Sequence, residues 1–278
     1  MEIFYDEFRC SVGEGPLWDA DNNRLLFLDI LNECIFISDF NSGNTERINV
    51  GQKVGCMALC ENGDILLGMQ DGVYRIDSQR EIKLAHKPVT IKGTRFNDGK
   101  AGPDGCFYLG TADDDKKGAF YRLKDGVLTE LFDGCGCSNG LDWSVDETKM
   151  FYCDTPNQKI EVFDFNKADG SLSNRRDFVE IPTQTGKPDG FAMDAEDNIY
   201  LGLWDGGAVI EIKKDGTIGE KLEVPAKKAS CCCFAGKELD TLIITTASKG
   251  DEVELPLAGY VFKEKMSTKG KKPYKYKY

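Results

Sequence analysis

Asp197-Asn198-Ile199-Tyr200-Leu201-Gly202, continuing to Gly207-Ala208-Val209-Ile210-Glu211-Ile212, is a polar turn, a short apolar run, a small residue, a loop and a second apolar run. Short runs of β-branched and aromatic residues bounded by Asp, Asn and Gly read as paired strands. The pattern occurs at five other places. They are Asn22–Asp29 with Ile35-Phe36-Ile37, Asn62–Gly68 with Gly72–Ile76, and Asp104–Gly110 with Gly118–Leu123, then Lys149–Asp154 with Ile160–Phe163, and Asp240–Thr245 with Gly259–Phe262.

The residues that close the first run of each unit are Asp29, Gly68, Gly110, Asp154, Gly202 and Thr245, with successive spacings of 39, 42, 44, 48 and 43. Repeats of roughly 40–50 residues made of short strands are the signature of propeller blades. Long helical periodicity is absent, and so is the asparagine ladder of leucine-rich repeats. The expectation is an all-β, six-bladed β-propeller with a central channel, forming one domain over residues 1–278. In such a ring the inner strands line the channel, so a site is assembled from single residues on separate blades rather than from one compact motif.

Composition narrows the function. The 278 residues carry a formal net charge of -12 and a pI near 4.7. A strongly acidic surface repels nucleic acid and anionic membranes, so neither is expected as a partner. The basic run Lys269–Tyr278 reads as a last strand or closing segment with its lysines in water. Met1-Glu2-Ile3-Phe4-Tyr5 lacks the basic and apolar regions of a signal peptide, and no stretch reaches membrane-span length. A cytoplasmic protein is expected, and a monomer, because a closed ring leaves no sheet edge free. Eleven cysteines without a ligand-like spacing read as buried thiols.

His86 is the only histidine, and it reads as a surface-loop residue. A Ser-His-Asp triad or a multi-histidine zinc site is therefore disfavoured. Chemistry must come from carboxylates, amides, lysine, arginine or a metal held by oxygen atoms. Four segments supply such groups: Gly13–Trp18, Thr94–Lys100, Ser138–Trp143 and Lys187–Ala192. Each alone reads as a turn. Yet Glu14, Asn97, Asn139 and Asp189 each precede the apolar run of a different blade by a similar interval. That phase places them at equivalent positions facing the channel, where converging oxygen atoms suit a divalent cation.

On these segments the chain resembles the senescence-marker protein (regucalcin)/gluconolactonase/luciferin-regenerating enzyme family. The resemblance runs from Gly13-Glu14-Gly15-Pro16 through Arg95–Lys100, Ser138–Ser144, Ser173–Arg176, Pro188-Asp189-Gly190 and Ser230–Phe234 to Pro273–Tyr276. It implies one divalent ion, with calcium, zinc, manganese and magnesium all usable. It implies Glu14, Asn139 and Asp189 as metal ligands, Arg95 and Asn97 as groups that bind the sugar near the metal, with Asn97 also a candidate to reach the ion, and Asp189 as the candidate general base. Animal members of the family hold substrate with a glutamate in the loop after the third blade's first strand. Here that loop is Thr111–Lys117, with Asp115 the candidate replacement beside Asp113 and Asp114; as a charge run it also reads as a solvated loop. The implied activity is a carboxylic ester hydrolase of the gluconolactonase type, opening a sugar (aldono-) lactone to the aldonic acid. The alternatives are a calcium-dependent, phosphotriesterase-like hydrolase and a non-catalytic calcium-binding regulatory propeller.

Overall fold

The run Leu25-Leu26-Phe27-Leu28 shows why the blades stack. Successive side chains of a strand point to opposite faces. Leu25 and Phe27 pack against the neighbouring blade on one side, and Leu26 and Leu28 against the neighbour on the other. A strand covered on both faces has no solvent side, so it reads as an unbroken apolar run rather than as an alternation.

The computed structural model describes residues 1–86, 91–251 and 253–278. They form six antiparallel four-stranded sheets arranged as a six-bladed β-propeller. The inner strands of blades 1 to 6 are Gly13–Asp19, Val54–Leu59, Arg95–Ala101, Ser138–Trp143, Lys187–Met193 and Lys228–Ala235. Each touches the inner strands of the blades before and after it, closing a ring. The second strands are Arg24–Asp29, Ile65–Met69, Phe107–Ala112, Lys149–Asp154, Ile199–Trp204 and Thr241–Ala247; these hold all six of the repeat's closing residues. Six apolar clusters fill the ring, one at each junction between blades. Among the described residues the only helical elements are two short 3-10 turns, and no helix is long and apolar enough to cross a membrane.

The termini divide the work of closure differently from the sequence expectation. The outermost strand of blade 6 is the N-terminal strand Glu2–Tyr5, paired antiparallel with Val261–Lys265. Residues 269–278 join no blade. They run across the end of the channel where the inner strands finish, touching Asp194 through Gly270, Leu59 and Glu61 through Tyr276, and Gly105 through Lys277. Nor are all the tail lysines in water: Lys271 reaches Asp142 at 3.0 Å and the carbonyl of Trp143. Tyr276 is buried in the junction of blades 2 and 3.

Candidate functional site

At the opposite end of the channel, where the inner strands begin, the described residues line a cavity. Every inner strand breaks register there, with a β-bulge between Glu14 and Leu17, Val54 and Cys56, Phe96 and Gly99, Asn139 and Leu141, Pro188 and Phe191, and Ala229 and Cys231. A bulge inserts an extra residue and re-aims side chains beside it. In four blades the re-aimed residue is Glu14, Asn97, Asn139 or Asp189. The glycines that follow Asn139 and Asp189 make no turn; they let neighbouring strands come close. A Cβ on Gly140 would meet the Asp189 carbonyl oxygen at 2.8 Å, and one on Gly190 would meet Cys231 Cβ at 2.6 Å.

The cavity at this end measures about 290 Å³ and is lined by Glu14, Arg95, Asn97, Asn139 and Asp189. Ile30, Leu31 and Trp204 form apolar wall, and Lys187 and Lys249 also border it. Five of the six residues read as site candidates are thus brought together. Asp115 is not. Its loop leaves the strand at Ala112, opposite Arg95, so it lies at the same end of the ring. Its carboxylate, however, is exposed and pairs with Lys117 at 2.8 Å, away from the cavity lining. With three aspartates and two lysines in sequence, local ion pairing in water wins over reaching inward. His86 ends the outermost strand of blade 2, opposite Val73, rather than lying in a loop, and it too is outside the lining.

Glu14, Asn97, Asn139 and Asp189 are all buried. Burial, then the charge on Asp98, pushes the Glu14 carboxyl up to about 8, opposed by the Gly15 N–H at 2.9 Å and by Arg95. Burial, then Glu14 and Asp98, drives Asp189 well above the usual carboxylate range. Asp98, behind the lining, is raised to about 6 by burial despite Lys100. Three buried carboxyls with so little compensating charge hold protons more tightly than they would in water.

The amides are oriented by their partners. Thr155 Oγ1 lies 2.8 Å from the Pro188 carbonyl, which has no proton to give, so the hydroxyl donates there. The Asn139 atom 2.8 Å from the same Oγ1 must then be the NH₂. Asn97 likewise gives its NH₂ to the Ser138 carbonyl at 2.8 Å and to Asn139 Oδ1 at 3.1 Å. Both amides therefore keep a defined oxygen end. Asp154 holds the strand entry, accepting from Cys137 N at 2.7 Å and Gly136 N at 3.1 Å; Asp29 does the same in blade 1 for Ser11 N and Val12 N. The acidic residues that closed two of the repeats are thus grips on the segments leading to Asn139 and Glu14.

Sequence reasoning missed Thr155, Cys137 and Trp204 in the lining. Thr155 and Trp204 end or follow second strands, and Cys137 precedes an inner strand; none stands in a distinctive motif. Asp98 was legible as part of Arg95–Lys100 but carried no separate signal.

The donor set suits a hard divalent cation: two carboxylates and amide oxygens, whose mutual repulsion a cation would relieve. Among the described residues no group of three or more His, Cys, Asp or Glu side chains is placed to hold a metal, so the amide of Asn139 is needed to complete such a set.

Fold and cavity together define a class: six-bladed propellers with an oxygen-lined site at one mouth of the channel. Within it the chain belongs to the SMP-30/Gluconolactonase/LRE-like family, whose model matches residues 12–248. It is 34% identical over 282 residues to a Bacillus subtilis (strain 168) protein named "Putative sugar lactone lactonase YvrE", covering 95% of this chain and 94% of that one. It is 32% identical to regucalcin of Gallus gallus over 283 residues, covering 96% and 95%. In fold it is similar to a calcium-binding protein, regucalcin, from Agrobacterium tumefaciens, with a TM-score of 0.93 at 24% identity, covering 99% of this chain and 96% of that one.

Proposed function

We propose that the protein is a divalent-cation-dependent hydrolase that opens a sugar lactone to its aldonic acid. The observation that carries this reading is the convergence of Glu14, Asn139 and Asp189 with Arg95 and Asn97 on one cavity from four blades. Family membership and the name of the Bacillus relative support the substrate class.

Glu14, Asn139 and Asp189 would hold the ion, with calcium, zinc, manganese and magnesium as candidates. When bound, such a cation polarises the lactone carbonyl and acidifies water. Arg95 and Asn97 hydrogen-bond the sugar and orient its ring, which lowers the entropic part of the barrier. Burial strips water from Arg95, whose Nη1 donates to the Phe96 carbonyl at 3.0 Å, leaving other N–H groups for substrate. As the oxygen of the attacking water bonds to the carbonyl carbon, Asp189 accepts that water's proton. The ring C–O bond then breaks, and Asp189 returns the proton to the departing ring oxygen. A cation lowers the basicity of a carboxylate that binds it; burial and the neighbouring Glu14 and Asp98 act in the opposite sense.

Parallel assays of aldonolactones and an organophosphate test the reaction class. The expected result is metal-dependent turnover of the lactones; fast organophosphate hydrolysis without lactone turnover overturns it.

A further inference from the structure

The two site amides belong to one hydrogen-bonded chain that ends on a backbone carbonyl at each end. It runs from the Pro188 carbonyl to Thr155 Oγ1, to the Asn139 amide, to the Asn97 NH₂, and to the Ser138 carbonyl. Carbonyls only accept, so the direction of every link is determined: only one orientation of each amide satisfies all of them. Thr155 makes the link between blades 4 and 5, as Asn97 makes the link between blades 3 and 4. Thr155 opens the 3-10 turn Thr155–Asn157 of blade 4, and its acceptor is the residue before Asp189 in blade 5.

We infer that Thr155 is a positioning residue that, together with Asn97, fixes which end of the Asn139 amide is the oxygen donor and ties Asn139 to the strand carrying Asp189. Without its hydroxyl, the Asn139 NH₂ loses its oxygen acceptor, and the Asn97 NH₂ at 3.1 Å is left to hold the Asn139 oxygen end, so the amide is less firmly kept where a cation needs oxygen. The second contact of that NH₂ is Cys137 Sγ at 3.7 Å, a weak acceptor that replaces a hydroxyl oxygen poorly. Partners that orient a ligand change metal affinity by about 10- to 100-fold when removed. This inference rests on the proposed cation site.

Thr155→Val removes the hydroxyl at nearly constant shape, and Thr155→Ser restores it. Two measurements are made on the full chain. In metal-free protein, the Asn139 side-chain ¹⁵N–¹H signals, assigned by their loss in Asn139→Asp, report the lock directly. They are expected to be well dispersed and slow to exchange in wild type and Thr155→Ser, and averaged in Thr155→Val. In calcium titration calorimetry, Thr155→Val is expected to bind about tenfold more weakly, with Thr155→Ser close to wild type. Unchanged Asn139 signals in Thr155→Val overturn the inference, as does Thr155→Ser behaving like Thr155→Val. Altered signals in a chain whose wild type binds no divalent cation uphold the lock and overturn the metal reading instead.

Discussion

Asp142 Oδ1 lies 3.0 Å from Lys271 Nζ, and this contact fastens the C-terminal segment across the channel to the inner strand of blade 4. The same carboxylate accepts from Lys100 Nζ of blade 3 at 3.2 Å and from Met193 N of blade 5 at 3.2 Å. One side chain therefore joins three blades and the tail. Burial alone would raise the Asp142 carboxyl; the Lys100 and Lys271 ammonium groups outweigh it and hold it down at about 2.

A pKa depressed on folding gives stability that is present above the unfolded value, near 4, and is lost as the pH falls toward 2. The shift corresponds to about 2 kcal/mol. Asp142→Asn should cost about 3 kcal/mol at pH 7, because it strands two partly buried ammonium groups. Urea unfolding of wild type and variant at pH 7 and at pH 2.5 should show the difference shrinking in acid. An equal difference at both pH values contradicts the assignment.

Ring closure predicts a second effect. The Tyr5 ring lies 5.3 Å from Phe27 and 5.6 Å from Phe36, in the junction of blades 6 and 1. Tyr5→Ala should lower stability by about 3 kcal/mol through lost burial and a cavity. Removing residues 1–5 should do more, since it exposes Val261–Lys265 as an unpaired edge. Size-exclusion chromatography should then show self-association. A truncated chain that matches the full chain in both elution volume and melting temperature argues against this closure.

The middle strands and the phase of the blades were legible in the sequence because those strands are buried on both faces. The outermost strands were not. Thr45–Asn49 and Ile218–Glu223 are largely exposed and polar, without a clean alternation to mark them. The role of the N-terminal strand was equally hidden, since its partner lies some 260 residues away and pairing at that distance leaves no local pattern. At the site, the inner-strand position of Asn139-Gly140 and Asp189-Gly190 was recoverable only from phase; locally both pairs mimic turns. In the charged loop Thr111–Lys117 the sequence offered both a substrate contact and a solvated turn, and the exposed Asp115 pairs locally with Lys117.

The buried carboxyls predict proton release. Burial, reinforced by Asp98, lifts Glu14 to about 8, and Asp189 is raised as well. At pH 7 the folded, metal-free chain then holds protons that the unfolded chain has lost. With the folded pKa above the unfolded one, this contribution to stability is full below about pH 4.5 and is lost as pH rises through 8. A cation that binds these carboxylates must displace the protons. Calcium titrations at pH 7 in two buffers of different ionisation enthalpy should report release of about one proton or more per ion. Heats that do not depend on the buffer contradict the prediction.

Metal-dependent lactone hydrolysis is tested most directly by a pH-indicator assay of aldonolactone hydrolysis by chelator-treated protein with metal added back, run on wild type and Asp189→Ala. Ring opening yields an acid, so turnover is read as proton release. Wild type is expected to lose activity with chelator and regain it with a divalent cation, while Asp189→Ala, folded by circular dichroism, stays near background throughout. Full wild-type activity without metal, or an active Asp189→Ala, would contradict metal-dependent hydrolysis through Asp189.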